Sequence, residues 1–207
     1  MSERKFKYIF VTGAPGSKWS SVARTMWYSP EVDRSDDKNE YKDGNVRHQG
    51  AYWGPGMEYG NDFAAMNLLS KEDLEKEFDK PFSGKGIRII KSHNFANHLE
   101  FIRETWPECP IVMCLRGVDA CLGWWVKAGG FDITYPNYSD YKNFKMMSIA
   151  IANQNKGIHD FLDIKPSYYT PSSYNLSNLL RIEYSKVEQD FSKDDIDVYL
   201  NIIGVKL

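Results

Sequence analysis

"VTGAPGSKWSS", residues 11–21, is a turn of glycine, proline and serine set between the apolar run "YIFVT" (8–12) and a helix-like stretch over 17–28. Strand, small-residue turn, helix is the unit from which parallel α/β sheets are assembled. It is also the setting in which backbone N–H groups and a helix N-terminus are turned toward a phosphate. An NTPase loop reads G-x-x-x-x-G-K-[ST]. Counted from Gly13, the second glycine position holds Lys18 and the lysine position holds Trp19. The stretch therefore has the composition of a phosphate loop without the NTPase spelling.

Three more runs extend the pattern: "IRIIK" (87–91), "PIVMCL" (110–115) and "LLRIE" (179–183). Each is nearly continuous in apolar residues, as expected of strands covered on both faces. Helical stretches separate them. "SKEDLEKEF" (70–78) opens on Ser70 as N-cap with acidic residues in its first turn. Residues 95–105 and 118–128 have helical periodicity, as does a long stretch at about 139–163. "DDIDVYLNIIG" (194–204) reads as a closing helix with Gly204 at C′. The alternation predicts an α/β fold: a parallel β-sheet of P-loop type flanked by helices, as one domain over residues 1–207. Residues 30–62 and 129–141 are polar, Gly-rich and aromatic, and read as lid loops.

Composition narrows the function. With 26 Lys+Arg against 28 Asp+Glu, the formal net charge of −2 offers no general field for nucleic acid, so an anion site has to be local. No apolar run approaches the length of a membrane span, and the N-terminus lacks a signal-peptide h-region. Cys109, Cys114 and Cys121 lack C-x-x-C spacing, which points to reduced, buried thiols in a cytoplasmic protein and not to a metal site.

In an open parallel sheet, ligands sit beyond the C-terminal strand ends. Here those ends deliver the Gly13–Ser21 loop, then Lys91, Ser92 and His93, then Arg116. Gly13, Ala14, Pro15, Gly16, Ser17, Lys18, Trp19, Ser20 and Ser21 form the candidate anion cradle. Ser17 and Ser20 would supply hydroxyl donors, Lys18 a point charge, and Arg116 a planar fork for a second phosphate. His93 is the candidate general base.

On these blocks the sequence resembles the P-loop sulfotransferases. Their first loop reads G-x-P-[KR]-S-G-T-T, and "GAPGSKWS" keeps Gly13, Pro15, Ser17 and a hydroxyl at Ser20. "IIKSH" (89–93) is similar to their K-[TS]-H strand end, "VMCLRGVDACLG" (112–123) to the strand that exits into their arginine, and residues 179–205 to their closing segment. Gly16 replaces the family's basic residue, and Gly123 or Trp124 stands where a serine follows the arginine. The resemblance implies transfer of a sulfuryl group from 3′-phosphoadenosine 5′-phosphosulfate (PAPS) to a hydroxyl or amine. His93 would be the base, Lys18 and Lys91 would stabilise developing charge, and Arg116 would hold the 3′-phosphate, with no metal. The expected partner is a small-molecule or glycan acceptor, the chain itself being a monomer or simple homodimer. Two alternatives stay open. A P-loop kinase would need an intact G-K-[ST] and an acidic magnesium ligand, and neither strand end after the loop is acidic. A non-catalytic nucleotide- or glycan-binding module would have no need of His93.

Overall fold

The structure is a computed structural model that describes residues 6–38, 42–43, 46–47, 63–127, 143–164, 176, 179–182 and 197–201. Strands β1 (Tyr8–Gly13), β4 (Arg88–Lys91), β5 (Ile111–Leu115) and β6 (Asp197–Asn201) form an open sheet in the order β4-β1-β5-β6. A separate pair, β2 (Lys42–Asp43) and β3 (Val46–Arg47), forms a short antiparallel ladder. The helices are α1 (Trp19–Trp27), α2 (Lys71–Asp79), α3 (Leu99–Thr105), α4 (Val118–Lys127) and α5 (Phe144–Ile164).

β1 is parallel to both neighbours, with Phe10 opposite Ile90 on one side and Ile111 on the other. Every residue of β1 and β5 is buried, as the continuous apolar runs imply. The chain leaves β1 for β4 on one flank and places β5 on the other, so the crevice beside β1 is a topological switch point. Phe10 anchors one face: its ring lies against Phe78 of α2, Phe95 and Trp106, in edge-on or tilted geometries. α1 packs on β1 and β4. A second cluster forms where Cys121, Leu122 and Trp125 of α4 meet Met147 and Ile151 of α5 around Ala14 of the loop.

Ser70 caps α2 as its sequence implies, accepting from the Asp73 N–H at 3.1 Å. Several expectations are corrected. "LLRIE" is not a strand over its described part: Leu179 is helical, Leu180 donates its N–H to the Leu176 carbonyl at 3.0 Å, and Leu179, Leu180 and Ile182 fill the core. The edge beside β5 is taken instead by residues 197–201, which were expected to be helical. There Val198 and Leu200 are buried with Tyr199 between them, a period of two that matches a strand. β6 runs antiparallel to β5, so the sheet is mostly and not wholly parallel. Residue 183 and Gly204 lie outside the described residues.

The helix expected from residue 95 starts at Leu99, because residues His93–Asn97 form a 3₁₀ turn that breaks at His98. The first part of the 30–62 stretch, read as a lid loop, is held by two contacts. Val32 bridges to Ile87, and Trp27 Nε1 donates to Asp36 Oδ1 at 3.3 Å, which fastens residues 30–38 to the body of the sheet. Most of the remainder, with His48, Tyr52, Trp53 and Tyr59, lies outside the described residues, as does 129–141 with Phe131 and Tyr135. The three cysteines are free and buried. Burial pushes the Cys109 thiol up to about 12 and raises Cys114 as well, which leaves both unreactive. Among the described residues no helix is long and apolar enough to cross a membrane.

Candidate anion site at the sheet edge

The loop after β1 turns sharply. Ser17 N–H donates to the Ala14 carbonyl at 3.0 Å, and Gly16 stands at φ 79°, in the left-handed region. A side chain on Gly16 would collide with the Cys121 carbonyl of α4, so the glycine is dictated by a packed seam. A Cβ on Gly13 would come within 2.5 Å of Ser17 Oγ. Lys18 also lies in the left-handed region, at φ 62°. This is the position where the NTPase pattern has its second glycine. For a lysine the left-handed conformation costs about 1 kcal/mol.

Lys18 is the N-cap of α1, and its side chain caps nothing. The N–H groups of Ser21 and Val22 turn back to the Lys18 carbonyl at 2.8 and 3.3 Å. No acidic residue stands in the first turn. A helix start of this kind retains its positive end for an anion. Ser17 adds a second feature. It is 0% exposed, and its Oγ has no hydrogen-bond partner among the described residues, an unspent hydroxyl inside the turn.

The "KSH" block assembles against this loop through three separate roles. Lys91 is the last residue of β4 and is 1% exposed, with Nζ 5.8 Å from the centre of the Trp19 indole. Ser92 caps the 3₁₀ turn, its Oγ accepting from Asn94 N–H at 3.0 Å, while its own N–H continues the ladder to the Val11 carbonyl. His93, 7% exposed, is tied to β1 twice. Thr12 Oγ1 donates to its carbonyl at 3.3 Å, and its Nδ1 lies 2.5 Å from the Gly13 carbonyl. A carbonyl only accepts, so Nδ1 carries the proton and Nε2 is the basic nitrogen. The Trp19 ring meets the imidazole edge-on, with centres 4.4 Å apart.

From the other flank, Arg116 leaves β5 and donates Nη1 to the Gly16 carbonyl at 3.0 Å. Its own carbonyl accepts from Asn155 Nδ2 at 2.8 Å. The structure thus brings Gly13–Ser21, Lys91, His93 and Arg116 to one edge. Lys18 reaches sideways, its Nζ 4.9 Å from the centre of the Trp124 ring of α4.

Two features escaped the sequence reading. Trp19 was counted for its backbone, whereas its side chain is what Lys91 and His93 rest against. The face of α5 bearing Ala152, Asn155, Lys156 and His159 lines a groove of about 460 Å³ with Arg116 and Val118. Its i, i+3, i+4, i+7 spacing was the available signal. Among the described residues no cluster of His, Cys, Asp and Glu is arranged to hold a metal. Comparison with family models, curated proteins and solved structures finds no match for this chain. At the level of class, the molecule is an α/β protein with a mostly parallel open sheet.

Proposed function

We propose that the protein is a sulfotransferase that moves the sulfuryl group of PAPS to an acceptor hydroxyl. The observation that carries this reading is the meeting of an uncapped helix start, a buried unpartnered serine hydroxyl, a tautomer-fixed histidine and an arginine at one switch-point edge. PAPS, as co-substrate, supplies an activated S–O bond whose cleavage leaves charge on the departing phosphate. The loop N–H groups and Ser17 Oγ bind that 5′-phosphate. Lys91 and Lys18 counter the charge that develops on it. His93 takes the acceptor proton at Nε2, since Nδ1 is committed to the Gly13 carbonyl. Arg116, held against Gly16, couples the loop to the second anionic group of the donor. As in phosphoryl transfer, positioning and electrostatics do most of the work.

The test is calorimetric titration with adenosine 3′,5′-bisphosphate, with ATP plus magnesium in parallel. The reading expects the bisphosphate to bind and Mg-ATP to bind more weakly. Binding of Mg-ATP alone overturns it in favour of a kinase. In the same preparation, His93→Ala should bind bisphosphate as the parent does while losing turnover with any acceptor found by screening.

A further inference from the structure

The groove between β5, the start of α4 and α5 is set apart from the loop, yet shares Arg116 with it. Leu115, Val118 and Ala152 give it apolar walls, and Arg116, Lys156 and His159 bring three nitrogen-bearing side chains to it. Among the described residues no carboxylate lines it. Lys156 meets Asp160 at 2.5 Å, but both are exposed and one helical turn apart, a pairing that an incoming anion readily replaces. Asn155 adds an acceptor of a different kind. Its Nδ2 is spent on the Arg116 carbonyl, while its Oδ1 is buried with no hydrogen-bond partner among the described residues. A buried carbonyl oxygen of this sort calls for a donor. A fully ionised phosphate or sulfate monoester group has none to offer, whereas a hydroxyl of the sugar that carries it does.

We infer that this groove is a second binding subsite, built for a sugar that carries a phosphate or sulfate monoester. The anionic group lies among Lys156, His159 and Arg116, and a neighbouring hydroxyl donates to Asn155 Oδ1. The role for a sugar ester rests on the proposed function only in so far as Arg116 links the groove to the loop. The ester can belong to the donor ribose or to a sugar acceptor.

Lys156 and His159 are exposed, so Lys156→Ala/His159→Ala should fold, which thermal melting checks. The parent and this variant are titrated with adenosine 3′,5′-bisphosphate, adenosine 5′-monophosphate and glucose 6-phosphate. If the ester is the donor's, the parent prefers bisphosphate over monophosphate by about tenfold or more, and the variant loses that preference without losing the monophosphate. If it is the acceptor's, glucose 6-phosphate binds the parent and fails to bind the variant. Ligand affinities identical in the two proteins overturn the groove while leaving the loop reading intact. Loss of glucose 6-phosphate in the variant, with no adenine nucleotide bound by the parent, keeps the groove and removes the sulfotransferase. Failure of all three ligands on the parent overturns both.

Discussion

The two ends of the sheet carry comparable numbers of charged groups and use them in opposite ways. At the N-terminal end, Arg88 of β4 lies between Asp33 and Asp79, and Asp79 also receives Lys7 at 2.6 Å and the Tyr8 hydroxyl at 2.9 Å. Cation meets carboxylate there, and the network closes on itself. At the C-terminal end, the side chains of Lys18 and Lys91 lie over indole faces, and His93 and Arg116 point at main-chain carbonyls of the loop. The contacts named at this end are to main-chain carbonyls and aromatic rings, whereas those at the other end are to carboxylates. One end is tied by ion pairs, and the other is where the proposed function places the donor's anionic groups.

That contrast can be broken from either end. The largest effect belongs to the closed network. Arg88→Met leaves the buried Asp33 carboxylate without its cation and should cost about 3 kcal/mol in urea unfolding. A loss near zero would mean the network is no more than a surface arrangement. Arg116→Ala should do the reverse. Unfolding free energy falls by about 1 kcal/mol for the lost bond to Gly16, while affinity for adenosine 3′,5′-bisphosphate drops about tenfold or more. Equal damage to stability and to binding would erase the distinction between the ends.

Asp79 sharpens the comparison through pH. Burial opposes its ionisation, but hydrogen bonds from Lys7, Arg88 and Tyr8 outweigh burial and hold its carboxyl below the ordinary 3.8. A depressed carboxylate stabilises the fold fully above the unfolded value, and the contribution is lost as pH falls through the folded one. Asp79→Asn should therefore cost roughly 1 kcal/mol at pH 7 after allowance for solvent screening. The gap between variant and parent should narrow in urea titrations run well below 3.8. A gap that stays constant with pH would assign the loss to packing. The smallest effect is at Lys18. Because its backbone is left-handed, Lys18→Gly should be more stable than Lys18→Ala by about 0.5–1 kcal/mol, with both binding the bisphosphate more weakly than the parent. A preference for alanine would contradict the left-handed turn.

Much of this was legible in the chain because it depends on local chemistry. The runs around Phe10, Ile90 and Val112 are apolar without alternation, which is what a strand covered on both faces requires. Ser70 before an acidic turn specified the start of α2, and the glycine and serine of the loop specified a sharp bend after β1. The order of those blocks was enough to bring Gly13–Ser21, His93 and Arg116 to one edge. What failed were segments whose fate depends on a neighbour. "DVYLN" can close a helix or pair as a strand, and it pairs because β5 offers an open edge that Val198 and Leu200 can cover. "LLRIE" has strand composition, yet Leu179 and Leu180 reach the core from a helical turn.

The site divides along the same line. Residue types and their order along the chain determined which groups arrive: a small-residue turn, a K-S-H strand end, an arginine after the next strand. Only the tertiary structure decided how they are used. Gly16 is required by the Cys121 carbonyl, the tautomer of His93 by the Gly13 carbonyl, and the direction of Lys18 by Trp124, each a contact between residues distant in sequence. Local propensity acts over a few residues, whereas a close approach between two elements exists only once both have packed on the sheet.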